Sequence, residues 1–428
     1  MHTETAVVLT VLVFCYAVVS GVVKRWYLAP ALLFVAIGIA LGPSGFGFVK
    51  VGPHAEGFTV LAELALSVIL FNQASALDLG AVLRGRRVPL RLLSIGIPLS
   101  IALGTLVAII VFPVLPLWEA VCLAAIVAPT EVALIDALLE DRRIPERVRH
   151  ALSIESGFYD GFALATMLAA LALASAQNDH APGRWAWFAF RTEIVSVAVG
   201  IVIGLIGAAV ISRSASHGWM SDTWAQLATL ALALACFGVG ERFHGSGFVA
   251  AFAGGLCYAV VSPMAGERAA TQVSDAAGQL LELLVFTLFG GFAVIPAWRH
   301  AGWRMVLFAV LALLGVRIAA VSIALMRSSL SASSKLFIGW FGPRGIGTLV
   351  LGLLVIEKGK IYQGTLITQV VVLTITLSLV LHSLTARVGI RLCQRHEAGE
   401  TTPKPKQSRP SASRSNGKPD EPEGPATS

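Results

Sequence analysis

Charge is the scarcest property of this chain. Of its 428 residues only 13% are Asp, Glu, Lys or Arg, against about 25% in an ordinary soluble domain. Hydrophobic residues make up 56%, and the mean hydropathy is +0.77. These values exclude a soluble globular domain. Short segments of alternating apolar and polar residues are missing too, which excludes a transmembrane β-barrel. Cysteine is sparse: Cys15, Cys122, Cys236, Cys257 and Cys393 lie far apart, mostly inside apolar runs. Their spacing supports neither a disulfide framework nor a metal-ligand set, so they read as small packing residues. No basic segment precedes the first apolar run, and 5–23 therefore reads as a membrane span and not as a removed signal peptide.

What is present is a series of long apolar runs, each of roughly 17–25 residues, the length that spans a bilayer. About thirteen can be drawn, near 5–23, 28–46, 58–77, 90–112, 118–139, 150–176, 190–212, 222–240, 246–263, 276–296, 302–326, 334–356 and 364–392. The chain is thus expected to be an all-α membrane protein with its termini on opposite sides. The net charge of +7 is no sign of nucleic-acid binding. Its basic residues fall in the short connections and the tail. One set of connections carries Lys24, Arg25, Arg84, Arg86, Arg87, Arg142, Arg143, Arg147 and Arg149 and continues to Arg387, Arg391 and Arg395. The alternate set is poorer. The positive-inside rule then puts the N-terminus outside and the C-terminus in the cytoplasm. Residues 394–428 are rich in Pro, Ser, Lys, Glu and Gly and are expected to form a disordered cytoplasmic tail.

Two runs are interrupted. The fifth contains Ala128-Pro129-Thr130-Glu131, and the twelfth contains Gly339-Trp340-Phe341-Gly342-Pro343-Arg344-Gly345. Proline removes a donor and clashes with the preceding turn, so a helix kinks or unwinds there. Freed carbonyls are tolerated at membrane depth only where they line protein or a wet cavity. The two interruptions lie seven runs apart, so the broken helices would enter from opposite sides. Such a pair points to two inverted halves, runs 1–6 and 8–13, with a substrate site between them. A plain proline kink with Glu131 in a structural pair is the alternative.

The third polar feature is Glu155-Ser156-Gly157-Phe158-Tyr159-Asp160-Gly161, at the start of an uncharged stretch. A carboxylate at a helix centre costs roughly 2.5–3.5 kcal/mol on insertion, and acidic residues there mark ion or proton paths. A helix end in the headgroup region would also account for it. Ser156 and Asp160 share a helix face, whereas Glu155 and Asp160 point away from each other. Asp160 and Ser156 would face an ion path, and Glu155 a structural partner. Carboxylate, hydroxyl and backbone carbonyl oxygens suit a hard monovalent cation. Arg317 and Arg344 lie inside apolar runs, and a buried charge needs a partner; Arg317 could instead snorkel to a headgroup. Glu63, Asn72, Gln73 and Glu282 could line a funnel or bond to a neighbouring helix. Gly200, Gly204 and Gly207 form a small-residue face suited to close helix packing.

Together these residues resemble the monovalent cation:proton antiporters of the sodium/hydrogen-exchanger type. That family carries Pro-Thr-Asp in an unwound helix, Glu-Ser-x-x-Asn-Asp on the next, and Gly-x-Arg-Gly in the partner unwound helix. Here the motifs read Pro129-Thr130-Glu131, Glu155 to Asp160, and Gly342-Pro343-Arg344-Gly345, and the likeness spans about residues 5–393. The resemblance implies inverted six-helix repeats whose helices 5 and 12 cross while unwound. It also implies a homodimer, in which core helices 4–6 and 11–13 move against dimerisation helices 1–3 and 7–10. It implies exchange of an alkali cation (Na+ first, K+ or Li+ as alternatives) for H+ by competition at Asp160, with no cofactor and no enzymatic chemistry. Asp160, Ser156, Glu131 and the Thr130 backbone would hold the cation. Glu155 would pair with Arg317, and Arg344 would neutralise the converging helix ends beside Pro129.

This chain departs from the family at two positions: Glu131 is one methylene longer than the family's aspartate, and Tyr159 replaces its asparagine. In the family an aspartate at that second position goes with electrogenic exchange. An uncharged Tyr159 therefore favours one-for-one exchange, although a phenol does not reproduce the asparagine's hydrogen bonds. A diverged channel or sensor on the same fold is the alternative. An intramembrane aspartyl protease would need a second aspartate in a Gly-x-Gly-Asp setting, which the chain lacks.

Overall fold

The computed structural model describes residues 3–26, 28–49, 56–77, 87–131, 144–179, 182–261, 271–328, 330–358 and 361–400. The expected second half of the fifth run, several of the basic connections and the tail from 401 onward lie outside the described residues.

The described chain is helical throughout its ordered elements. In order these are α1 (Thr3–Arg25), α2 (Pro30–Leu41), α3 (Glu56–Ser75), α4 (87–111), α5 (Leu117–Val127), α6 (Glu146–Asp179) and α7 (Pro182–Ser216). They continue with α8 (Asp222–Arg242), α9 (Gly247–Val261), α10 (Gln272–Arg299), α11 (Trp303–Ala324), α12 (Ala332–Trp340), α13 (Ile346–Lys358) and α14 (Gly364–Glu400). Among the described residues, 9 helices are long and apolar enough to cross a membrane. Shorter apolar helices include α2, α5, α9 and the first part of α13. The last helix continues to Glu400. The segment expected as a tail from 394 thus overlaps the end of this helix, and from 401 it lies outside the described residues.

Small residues set the spacing between helices. A Cβ on Gly204 of α7 would lie 2.6 Å from Gly254 Cα on α9, so only glycine lets these backbones meet. The small-residue face read in the sequence is therefore a packing surface. α3 packs on α9 and α10, α9 on α7 and α8, and α2 on α10; α5 packs on α4 and α6, and α14 on α11 and α13.

Three helices contain π-turns, at Leu92–Gly96 in α4, Gly290–Val294 in α10 and Leu311–Val316 in α11. Each extra residue rotates the downstream part of its helix by about 100°, the angle per residue of an α-helix. The third of these turns ends at Val316 and so sets the direction of Arg317.

Candidate functional site

Two breaks in the helices face each other at the centre of the structure. α5 ends at Val127, and Ala128–Glu131 leave the helix. α12 ends at Trp340, and the chain from Phe341 to Gly345 is non-helical before α13 begins, turning at Phe341 where the Gly342 N–H donates to the Trp340 carbonyl. Both breaks contain the proline expected to cause them, Pro129 and Pro343. They are joined directly: the Glu131 N–H donates to the Pro343 carbonyl at 2.8 Å.

Helix C-termini leave carbonyls unpaired and concentrate negative partial charge. Arginines serve both ends here. Arg344, only 3% exposed, donates from Nη1 to the Ala128 and Pro129 carbonyls, the latter at 2.7 Å. Arg317 donates from Nη2 to the Ile338 carbonyl in the last turn of α12, at 3.2 Å. A Cβ at Gly342 would fall on the Arg317 guanidinium, so this glycine is required for the approach.

Arg317 and Glu155 meet in a buried bidentate pair, Nη1–Oε1 at 2.7 Å and Nη2–Oε2 at 3.1 Å. Arg317 is 1% exposed, so it does not snorkel. The fork geometry satisfies two charges that would be very costly apart.

On the other face of α6 lies Asp160, 4% exposed, with Glu131 close enough to act on it electrostatically. The first turn of α13 packs on both. A Cβ on Gly347 would lie 3.1 Å from Asp160 Oδ1, and one on Gly345 would lie 2.6 Å from Glu131 Oε2. Gly345 and Gly347 thus let a helix N-terminus, the positive end of its dipole, approach two carboxylates. Gln73 of α3 donates from Nε2 to Glu131 Oε1 at 3.1 Å. Asp160 Oδ2 is buried and accepts no hydrogen bond among the described residues. A buried acceptor in that position has room for a proton, a water or a cation as its partner. Thr130 and Ser156 are buried as well, 4% and 2% exposed.

Tyr159, 1% exposed, lies within electrostatic reach of Arg317, Arg344 and Glu155. Its hydroxyl lies beside Ser100 and the Arg317 guanidinium, in contacts short of full hydrogen-bond geometry. Asn72 bonds to a neighbouring helix: its Oδ1 accepts from Ser274 at 2.7 Å.

The sequence reading did not single out Ser378 and His382 of α14. The Arg344 N–H donates to Ser378 Oγ at 2.8 Å, and His382 Nε2 faces the Trp340 carbonyl at 2.9 Å. Two polar residues four apart in an apolar run were the available signal. Gln73 was noted only as a weak polar residue; its link to Glu131, 58 positions away, is visible only in the folded chain.

Comparison with known proteins agrees with this architecture. The family described as "Sodium/hydrogen exchanger, transmembrane" matches residues 9–388. The K(+)/H(+) antiporter NhaP2 of Shewanella baltica (strain OS223) is 26% identical over 340 residues, covering 77% of this chain and 56% of the relative. The Na(+)/H(+) antiporter of Schizosaccharomyces pombe is 26% identical over 376 residues, covering 80% of this chain and 78% of that one. The chain spans about half the length of several curated relatives, 45% for a probable Na(+)/H(+) antiporter of the same yeast. The solved structure of the sodium proton antiporter MjNhaP1 from Methanocaldococcus jannaschii at pH 8 superposes with a TM-score of 0.72 at 19% identity, over 91% of this chain and 98% of that one. It shares the fold. With a family match across nearly all of its apolar length, the chain belongs to the sodium/hydrogen exchanger family.

Proposed function

We propose that this protein exchanges a monovalent cation for protons across a membrane, with both competing for Asp160. The observation that carries the reading is the buried Asp160 Oδ2, which accepts no hydrogen bond among the described residues, beside Glu131 at the meeting point of two broken helices. Burial disfavours an uncompensated carboxylate. A protonated or cation-loaded site is then free to cross, and an empty one is held back, which couples the two fluxes in alternating access. Asp160 is the carrier. Ser156, Glu131 and the Thr130 backbone supply further oxygens, and Gln73 orients Glu131 from α3. Glu155 and Arg317 neutralise each other and stay fixed. Arg344 holds the first break against the second.

Tyr159 brings no charge, which supports one-for-one exchange. Relatives named for potassium and for sodium both occur, so the reading covers either ion, with Na+ first. Homodimerisation, movement of α4–α6 and α11–α14 against the other helices, and a plasma-membrane location with the N-terminus outside belong to the same proposal. The test is proton flux in proteoliposomes across a panel of alkali cations, with the membrane potential free or clamped. Cation-driven flux is expected in the parent chain and at least about a hundredfold less in Asp160→Asn. Undiminished flux in Asp160→Asn would remove Asp160 from the site. Flux that changes with the clamp would overturn one-for-one exchange.

A further inference from the structure

The second break is bracketed from one side by α14. Ser378 and His382 stand four residues apart on that helix, on one face, and are 0% and 4% exposed. Each touches one end of the break. Ser378 Oγ accepts the Arg344 N–H at 2.8 Å, and His382 Nε2 lies 2.9 Å from the Trp340 carbonyl. The two side chains also meet each other, Ser378 Oγ to His382 Nδ1 at 3.2 Å.

The chemistry of these atoms gives the contacts a direction. A carbonyl only accepts, so the contact with Trp340 is a hydrogen bond only if Nε2 carries a proton. Nδ1 lies 2.8 Å from the Ser378 carbonyl and beside the Ser378 hydroxyl. In the neutral ring with Nε2–H, that hydroxyl can donate to Nδ1. Either neutral tautomer sets one ring lone pair against a carbonyl, that of Ser378 or that of Trp340, and among the described residues only the Ser378 side offers a hydroxyl to offset it. The favoured arrangement is therefore a continuous chain: Arg344 N–H to Ser378 Oγ–H to His382 Nδ1, then Nε2–H to the Trp340 carbonyl. It closes a loop around 341–345. Phe341 completes the grip, tilted against Phe337 at 4.5 Å and edge-on to His382 at 6.3 Å between ring centroids.

What this loop holds matters because of where the break points. Arg344 reaches the α5 carbonyls, and Pro343 accepts from the Glu131 N–H. We infer that Ser378 and His382 are positioning residues for the exchange reaction: they set the span of the second break, and through Arg344 and Pro343 the placement of Glu131. Neither residue touches the transported ion. The inference rests on the exchange activity proposed above for its kinetic consequence, and on the hydrogen-bond chain alone for its structural one.

The experiment therefore has two readouts, in the full-length chain. Amide hydrogen exchange over 341–347 is measured in detergent, and the half-saturating cation concentration is measured in proteoliposomes. Ser378→Ala and His382→Leu are expected to speed amide exchange in that segment by about tenfold, the worth of one or two hydrogen bonds. They should raise the half-saturating cation concentration by a similar factor. Ser378→Thr and His382→Gln restore a hydroxyl and an N–H donor and should recover most of both. Thr376→Ala is the structural control. It removes the Trp298 Nε1 to Thr376 Oγ1 bond of 3.0 Å on the same helix, and should lower thermal stability without moving either readout. Unchanged amide exchange in both Ser378→Ala and His382→Leu overturns the inference, whatever the transport result. So does an effect that Thr376→Ala reproduces. Absence of cation-driven flux in the parent chain, with the amide-exchange pattern intact, would instead overturn the proposed function.

Discussion

The two helix breaks look alike in sequence and do different work. The first, 128–131, carries a carboxylate and offers two carbonyls to an arginine that comes from the other break. The second, 341–345, has no carboxylate. It supplies the arginine, a glycine at 342 that admits a second arginine, and a glycine at 345 that admits Glu131. It is also gripped from outside, by Arg317 at Ile338 and by Ser378 and His382 at its two ends. One break carries a carboxylate and freed carbonyls; the other provides positive charge, room and rigidity. Paired interruptions in an apolar chain therefore need not be two halves of one ligand set.

That contrast can be broken by mutation. The largest effect on stability is expected on the supporting side. Arg317→Met leaves Glu155 buried and uncompensated, and should destabilise the protein by about 3–5 kcal/mol. This would be read as a lower melting temperature in detergent. The double change Arg317→Met with Glu155→Leu should recover most of it. Equal melting of single and double variants would show that the pair carries no such weight. Gly342→Ala comes next, about 1–3 kcal/mol for overpacking against Arg317. Gly302→Ala, where a new Cβ meets nothing within 4 Å, is the neutral comparison.

On the ligand side, Glu131→Gln keeps the side chain's length and leaves an oxygen for Gln73. Exchange should fall by about tenfold with the melting temperature little changed, since one charge and no packing is lost. A large loss of stability with full exchange would move Glu131 to the supporting side. The smallest effect is expected at Tyr159. Its hydroxyl meets Ser100 and Arg317 only in contacts short of full hydrogen-bond geometry, so Tyr159→Phe should stay within about 0.5 kcal/mol and leave exchange kinetics intact. A clear change in the coupling of flux to membrane potential would give the phenol a part that the geometry does not.

Much of this was legible before folding. Long uncharged runs can only be membrane helices, and a proline with a carboxylate beside it in such a run marks a break with a purpose. Glu155 and Arg317 had to find partners because neither can remain charged and alone in hydrocarbon. The five-residue offset between Glu155 and Asp160 placed them on different faces by helix geometry alone. Other features were not legible for physical reasons. Gln73, Ser378 and His382 are single polar residues whose partners lie on other helices, and a lone polar residue has many satisfactory neighbours. The departure at Tyr159 was visible, but whether the phenol would bond or simply fill space depended on what surrounds it. Composition registers the loss of apolar residues near 394, while the last helix runs on to Glu400, because a running helix adds another turn at little cost.

The sequence by itself determined the medium, the helical class, the positions of both breaks and the identity of the charged residues that must be reconciled within the bilayer. Those follow from the cost of exposing backbone and charge to hydrocarbon, which is local to each run. Only the tertiary structure decided which arginine serves which helix end, that α3 reaches Glu131 through Gln73, and that α14 closes a loop around the second break. These depend on the crossing of helices remote in sequence, where a π-turn or a glycine shifts a side chain from one partner to another.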